Sequence, residues 1–242
     1  MRTFESLAEA ASEIKRDLSK APLQHSSSVQ GMPTNAEAQE LLGYTYTIQG
    51  GIPAHSEDIA TLALDYKLVD KKEIVEWERW LQMEAQARTY WNPGVITENS
   101  HPKLKKIIGP DVDYSYSDRL SGSGPFWQNL FEGNEDTRRG YWPFYQREDA
   151  LRSTRNTRIP CTIGYQAYIR KSGNKRFLHL VYLQRSCDFQ NFWISDVWLA
   201  RVLQHNIVDS IRDIMGLPEV EIGQFTHFII SLHAFLKEDE IY

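Results

Sequence analysis

Two short runs carry most of the chemistry in this chain: Arg158-Ile159-Pro160-Cys161-Thr162 and Gln184-Arg185-Ser186-Cys187-Asp188. A cysteine just after a proline turn, with an arginine one hairpin away, is an arrangement that makes and uses a thiolate. A guanidinium beside a thiol favours the anion, and the anion is the nucleophile. If the two runs lie on adjacent strands, Cys161 becomes a nucleophile beside an anion-binding group. The bland alternative is that Cys161 is a small buried hydrophobe, as free cysteines usually are. Cys187, inside a strand-end motif, reads as packing rather than chemistry. His227 and His233 share one face of an apolar strand, but no further His or Cys cluster completes a metal site, so no metal is expected.

The elements that must position these residues are legible from periodicity. Phe4, Leu7, Ala11, Ile14 and Leu18 recur at three and four, which predicts a helix ending before Pro22. His25 to Asn35 is rich in Ser, Gly and Pro and predicts a loop. Tyr44 to Ile48 predicts a strand and Lys71 to Tyr90 a second helix. From Asn92 to Pro125 a loop is expected, with a short helical piece near Leu104 to Ile108, and a helix starting at Pro125. Tyr141 to Tyr145 predicts a strand. Ile163 to Ile169 and Phe177 to Leu183 predict a hairpin around Lys171-Ser172-Gly173-Asn174. Val197 to Ile214 predicts a long helix stopped by Gly216 and Pro218, and Thr226 to Leu232 a last strand. Strands and helices mix without regular βαβ alternation, so an α+β layered domain is expected, one domain over 1–242.

Composition excludes several classes. A net charge of −5 and a pI near 5.8 give no global basic field for a nucleic acid polymer. No stretch approaches the roughly 20 apolar residues that span a bilayer, and Met1 to Leu23 lacks the apolar run of a secretory signal. A cytoplasmic protein with reduced thiols is expected, since only two cysteines are present.

Five motifs in order resemble those of the thymidylate synthase superfamily, which includes the pyrimidine nucleotide hydroxymethylases. They are Ile159-Pro160-Cys161, Gln184 to Asp188, and Gly223-Gln224-Phe225-Thr226-His227 with Leu232-His233-Ala234-Phe235. Upstream stand the twin-arginine segment Asp136-Thr137-Arg138-Arg139 and Tyr114-Ser115-Tyr116-Ser117. Glu76-Trp77-Glu78-Arg79-Trp80-Leu81 is similar to the helix carrying that family's active-site glutamate. The resemblance runs from about Glu73 to Phe235.

The resemblance implies a mixed twisted sheet covered by helices, with one sheet face used for homodimerisation. It implies one-carbon transfer from 5,10-methylenetetrahydrofolate to C5 of a pyrimidine nucleoside monophosphate. Cys161 would add to C6, since a pyrimidine C5 is a poor nucleophile until something does so. Arg185, Ser186 and Gln184 would hold the nucleotide, and Arg138 and Arg139 would reach the partner subunit's phosphate. Asp188 would contact the pterin, Glu76 (in competition with Glu73 and Glu78) and Tyr116 would organise proton transfer, and His233 would lie near the sugar hydroxyl.

Against the family pattern, Thr162 replaces a histidine and Phe235 a tyrosine, and no arginine lies in His25 to Gly31. Trp193 falls where Asn reads uracil or Asp reads cytosine, and Asn191 is the candidate to take that role. An indole N–H only donates and does not separate those bases. The altered base-reading position and the short C-terminus lean toward hydroxymethylation over methylation, or toward an unusual nucleotide. A binding or regulatory member without catalysis is the competing expectation.

Overall fold

The computed structural model describes residues 1–26, 36–69, 71–90, 119, 126, 128–130, 137–152 and 159–236. The elements are β1 (Arg2–Phe4), α1 (Leu7–Leu18), β2 (Leu23–Ser26), β3 (Ala36–Ile48), α2 (Ser56–Asp65) and α3 (Ile74–Tyr90). They continue with β4 (Tyr141–Pro143), α4 (Arg147–Arg152), β5 (Thr162–Ser172), β6 (Lys175–Asp188), α5 (Trp193–Met215) and β7 (Val220–Phe235). The class is α+β with a mixed sheet. Strand order is β1-β3-β7-β6-β5-β4, with β2 also paired to β3. β6 and β7 run parallel through the α5 crossover, whereas β3–β7 and β5–β6 are antiparallel.

The first helix is shorter than the spacing predicts. Ser6 caps it by accepting the Glu9 N–H, and Glu9 reaches back to the Glu5 N–H. This reciprocal cap starts the helix after Ser6 and leaves Phe4 on β1, parallel to β3. β2 occupies the beginning of the expected 25–35 loop, because Leu23 to Ser26 pair with Gln39 to Ala36. β3 extends eight residues N-terminal of the expected Tyr44 start. Its polar stretch Glu37 to Glu40 gives no strand signal, yet it pairs along β7 as far as Ala38 with Phe235. α2 is an addition to the expected elements, and β7 is longer than its apolar run at both ends. Residues 126 and 128–130 are helical where a helix is expected from Pro125. The helical piece expected at Leu104 to Ile108 lies outside the described residues.

One face of the sheet is covered. Leu178, Leu180, Tyr182 and Gln184 of β6 point the same way as Phe225, His227 and Ile229 of β7, and all are buried. Over them lies α5, whose Val197, Ala200, Leu203, Ile207 and Ile211 form a stripe at helical spacing, each with no exposure. Burying each of its larger side chains stabilises by roughly 1.5–3 kcal/mol, so Leu203→Asp would break the layer. Gly216 ends the helix at φ 61°, a left-handed conformation that glycine adopts without a Cβ clash. The opposite face presents Val181, Leu183 and Arg185 of β6 half-buried, with Phe228 38% and Ile230 46% exposed on β7. Among the described elements no helix covers this side.

Candidate active site

The chemistry-bearing residues gather where the C-terminal ends of β6 and β7 meet the entry to β5. Antiparallel pairing places Thr162 opposite Gln184, and the Arg185 backbone N–H donates to the Cys161 carbonyl at 2.8 Å. The two runs are therefore on adjacent strands, as the hairpin requires. β5 is also held from its other side. A Cβ on Gly164 would lie 2.5 Å from the Trp142 carbonyl oxygen, so only glycine allows β4 this close.

Cys161 is half-exposed just before β5. The Arg185 side chain turns back onto the segment leading into it. Its Nε–H donates to the Pro160 carbonyl at 2.8 Å and Nη2 donates to the Ile159 carbonyl at 3.0 Å. The same Nη2 stands 4.0 Å from the Cys161 sulfur. The guanidinium is thus fixed as a cation beside the thiol, and its Nη1 edge makes no hydrogen bond among the described residues. That geometry favours thiolate and offers a fork to an anion. Cys187 differs in kind. It is fully buried, and desolvation pushes its thiol well above the ordinary range, helped by the nearby Asp196 and Asp188 carboxylates. It is inert packing, as its strand-end position implies.

At the end of β6, Asp188 accepts the backbone N–H groups of Gln190 and Asn191 and the Asn191 side-chain amide. Asn191 is therefore tied into the turn below Asp188. Across the parallel pairing, Asp188 registers with His233, which registers with Glu40 on β3. Burial lowers the His233 pKa, opposed by the Asp188 and Glu40 charges on either side. Ser186 pairs in register with Ser231, whose hydroxyl donates to Glu40. Phe235 stacks edge-on against the His233 ring at 5.0 Å and brings no hydroxyl.

Beneath this surface runs a buried polar chain. The Trp193 indole N–H donates to the Tyr46 hydroxyl at 2.8 Å, and Tyr46 meets His227 Nδ1 at 2.8 Å. His227 Nε2 meets Gln184 Oε1 at 2.9 Å, and Gln184 Nε2 donates to Asp196 at 2.7 Å. Desolvation lowers the His227 pKa to about 3, so the ring is neutral. The ring stacks on Tyr182, centroids 4.5 Å apart, which stacks in turn on Tyr165. Tyr182 also shares a hydrogen bond with Thr162, the neighbour of Cys161, at 2.9 Å.

Two sequence expectations change here. Trp193 has no exposure, and its one donor is taken by Tyr46, so it does not meet a base edge. It is core because it opens α5 facing the sheet. The polar group one turn later on the same helix is Asp196, half-buried and bonded to Gln184. Helical spacing from Trp193 was the available signal for it. Gln184 is 1% exposed, with both ends of its amide engaged inside the protein.

The structure does not bring every candidate together. Glu76 is exposed in the first turn of α3, next to buried Trp77, and no contact among the described residues joins it to Cys161. Glu78 instead accepts hydrogen bonds from Ser56 and Gln82. Arg138 and Arg139 are exposed before β4, where the Arg138 carbonyl accepts from Gln166. Tyr116 lies outside the described residues. Among those residues no group of three His, Cys, Asp or Glu side chains could hold a metal ion, and no helix is long and apolar enough to cross a membrane.

No family profile matches the chain, and no curated protein matches it. Among solved structures, the chain is similar to thermostable thymidylate synthase A from Bacillus subtilis. The match has 18% sequence identity and a TM-score of 0.49, covering 93% of this chain and 78% of that chain.

Proposed function

We propose that this chain transfers one carbon to C5 of a pyrimidine nucleoside monophosphate from 5,10-methylenetetrahydrofolate, through a covalent adduct between Cys161 and C6. The observation that carries the reading is the Arg185 guanidinium pinned to the Ile159 and Pro160 carbonyls and 4.0 Å from the Cys161 sulfur. A thiolate held this way is poised for addition to an electron-poor ring carbon, and covalent catalysis divides a difficult substitution into easier steps. The same arginine, with Ser186, supplies donors for a phosphate.

The folate supplies the carbon at the oxidation level of formaldehyde. Asp188 suits its amino-pyrimidone ring, because a carboxylate has roughly four acceptor positions and local bonds engage three. Asp196 supports a base bearing an exocyclic amine, since a carboxylate accepts from such a group and repels a carbonyl oxygen. A cytosine-type nucleotide is the substrate this side chain favours. His233 stands beside the sugar. Two exposed arginines, Arg138 and Arg139, bind the partner's phosphate in a homodimer formed through the sheet face that no described helix covers, while Glu76 and Tyr116 serve proton transfer.

The test uses dCMP, CMP and dUMP tritiated at C5, incubated with methylenetetrahydrofolate. Label release that Cys161→Ser abolishes is expected, with the cytosine nucleotides favoured. Release with rising dihydrofolate absorbance marks methylation, and release without it marks hydroxymethylation. No release from any nucleotide, with wild type and Cys161→Ser alike, overturns the enzyme reading in favour of a nucleotide-binding role.

A further inference from the structure

The buried chain from Trp193 to Asp196 has only one fully satisfied polarity. An indole nitrogen donates and never accepts, so the Tyr46 oxygen must accept from Trp193. The single Tyr46 proton then goes to His227 Nδ1, since pointing it elsewhere would leave a buried donor unmade at a cost of about 1–3 kcal/mol. A neutral imidazole that accepts at Nδ1 carries its proton on Nε2 and donates to Gln184 Oε1. The Gln184 amide is thereby oriented with its NH2 toward Asp196.

The route leaves α5 at Trp193, crosses β3, β7 and β6 in their sheet order, and returns to the first turn of the same helix at Asp196. Reversing any link would turn Gln184 Oε1 onto the Asp196 carboxylate. Two acceptors facing each other would drive Asp196 to bind a proton or to swing away.

We propose that Trp193, Tyr46 and His227 are positioning residues for base selection: their one-way hydrogen-bond chain holds Gln184 as a donor to Asp196 and keeps Asp196 an anionic acceptor for an amino-bearing base. This rests on the assignment of Asp196 above. None of the three touches the nucleotide. They act through Gln184, and their burial makes the orientation insensitive to solvent. His227 remains neutral across the working pH range because burial holds its pKa near 3.

The first measurement needs no activity. In the full-length protein with 15N-labelled histidine, His227 is expected as the neutral Nε2–H form; an Nδ1–H form overturns the polarity. The second compares dCMP and dUMP binding by calorimetry. Tyr46→Phe removes only the hydroxyl that fixes the direction, and the dCMP preference should fall about tenfold, within the range for one polar base contact. If that variant does not fold, Gln184→Glu keeps the shape and places a second carboxyl against Asp196, with the same loss expected. A Phe225→Leu control, in the same core but outside the chain, should keep the preference. Unchanged preference in a folded Tyr46→Phe or Gln184→Glu protein overturns the proposal. If wild type binds neither nucleotide, the functional reading fails and base selection with it, while the tautomer still decides whether the chain is polarised as drawn.

Discussion

Arg185 grips the two carbonyls that lead into Cys161, so its charge cannot leave the thiol without breaking two hydrogen bonds. Simple proximity would let a flexible cation wander, but here the backbone before the nucleophile is itself the anchor. Arg185→Ala should therefore slow iodoacetamide alkylation of Cys161 about tenfold at pH 7, by depleting the thiolate. Arg185→Lys should recover only part of the rate, because an ammonium cannot reproduce the planar fork. Mass spectrometry locates the label, and Cys187 should remain unmodified in the native protein because it is buried. Equal alkylation rates in all three proteins would remove Arg185 from thiol activation.

His227 ties stability to pH. Its folded pKa is lowered to about 3 by burial, against an ordinary value near 6.5 in the unfolded chain. The unfolded state therefore binds more protons between these values, so the stabilising contribution is complete above about pH 6.5 and is lost as pH falls toward 3. The slope is about 1.4 kcal/mol per pH unit, or roughly 2 kcal/mol between pH 6.5 and 5. His179, His205 and His233 are also lowered by burial and act with the same sign, so the wild-type curve alone does not isolate one residue. Urea melts of wild type and His227→Gln at pH 7 and 5 do. The gap between the two proteins should shrink on acidification by about 2 kcal/mol, and a constant gap would contradict a neutral buried ring.

The sheet and the long helix were legible because their apolar residues repeat with the period of the element. The β5–β6 hairpin and α5 with its Gly216 stop follow from local pattern alone. β2 and the polar start of β3 did not, since Ala36 to Gln39 are strand through pairing with β2, and Ala38 to Glu40 through long-range pairing with β7. The Cys161–Arg185 pair was readable because one hairpin register brings the two runs together. Trp193 misled because its place in a motif carries no information about which way the first turn of α5 faces. Tyr46 was invisible as a functional partner of His227, 181 residues away in sequence, because no local rule couples them.

Thr162 and Tyr182 offer a direct measure of how firmly the nucleophile's neighbour is held. Their hydroxyls are 2.9 Å apart and buried, between Cys161 and the stacked rings. Thr162→Val and Tyr182→Phe should each destabilise by about 1–2 kcal/mol, each leaving the other hydroxyl without this buried partner. The double mutant should cost less than the sum, with a coupling near 1 kcal/mol in denaturant melts. Additive losses would mean that the hydroxyls do not meet.

The sheet face that no described helix covers has a measurable consequence. Phe228 and Ile230 point away from α5 on the central strand β7, and half-buried Val181 and Leu183 lie beside them on β6. An apolar sheet face of this kind, exposed among the described residues, is unusual for a monomer, and a two-fold axis through it would let two copies cover each other with the same surface. If two copies pair through this face, Phe228→Asp should leave a folded monomer in sedimentation velocity at micromolar concentration where wild type sediments as a dimer. Circular dichroism should be unchanged, because the side chain does not enter the α5 core. A dimer that persists at wild-type affinity would exclude this face. If the arginines serve the partner's site, the monomer should also lose activity with Cys161 alkylation intact. Mixing Cys161→Ser with the Arg138→Ala/Arg139→Ala double mutant should then restore part of the turnover, since half of the sites in a mixed dimer combine an intact cysteine with the partner's intact arginines. Verified mixed dimers without rescue would place the arginine clamp within one subunit instead.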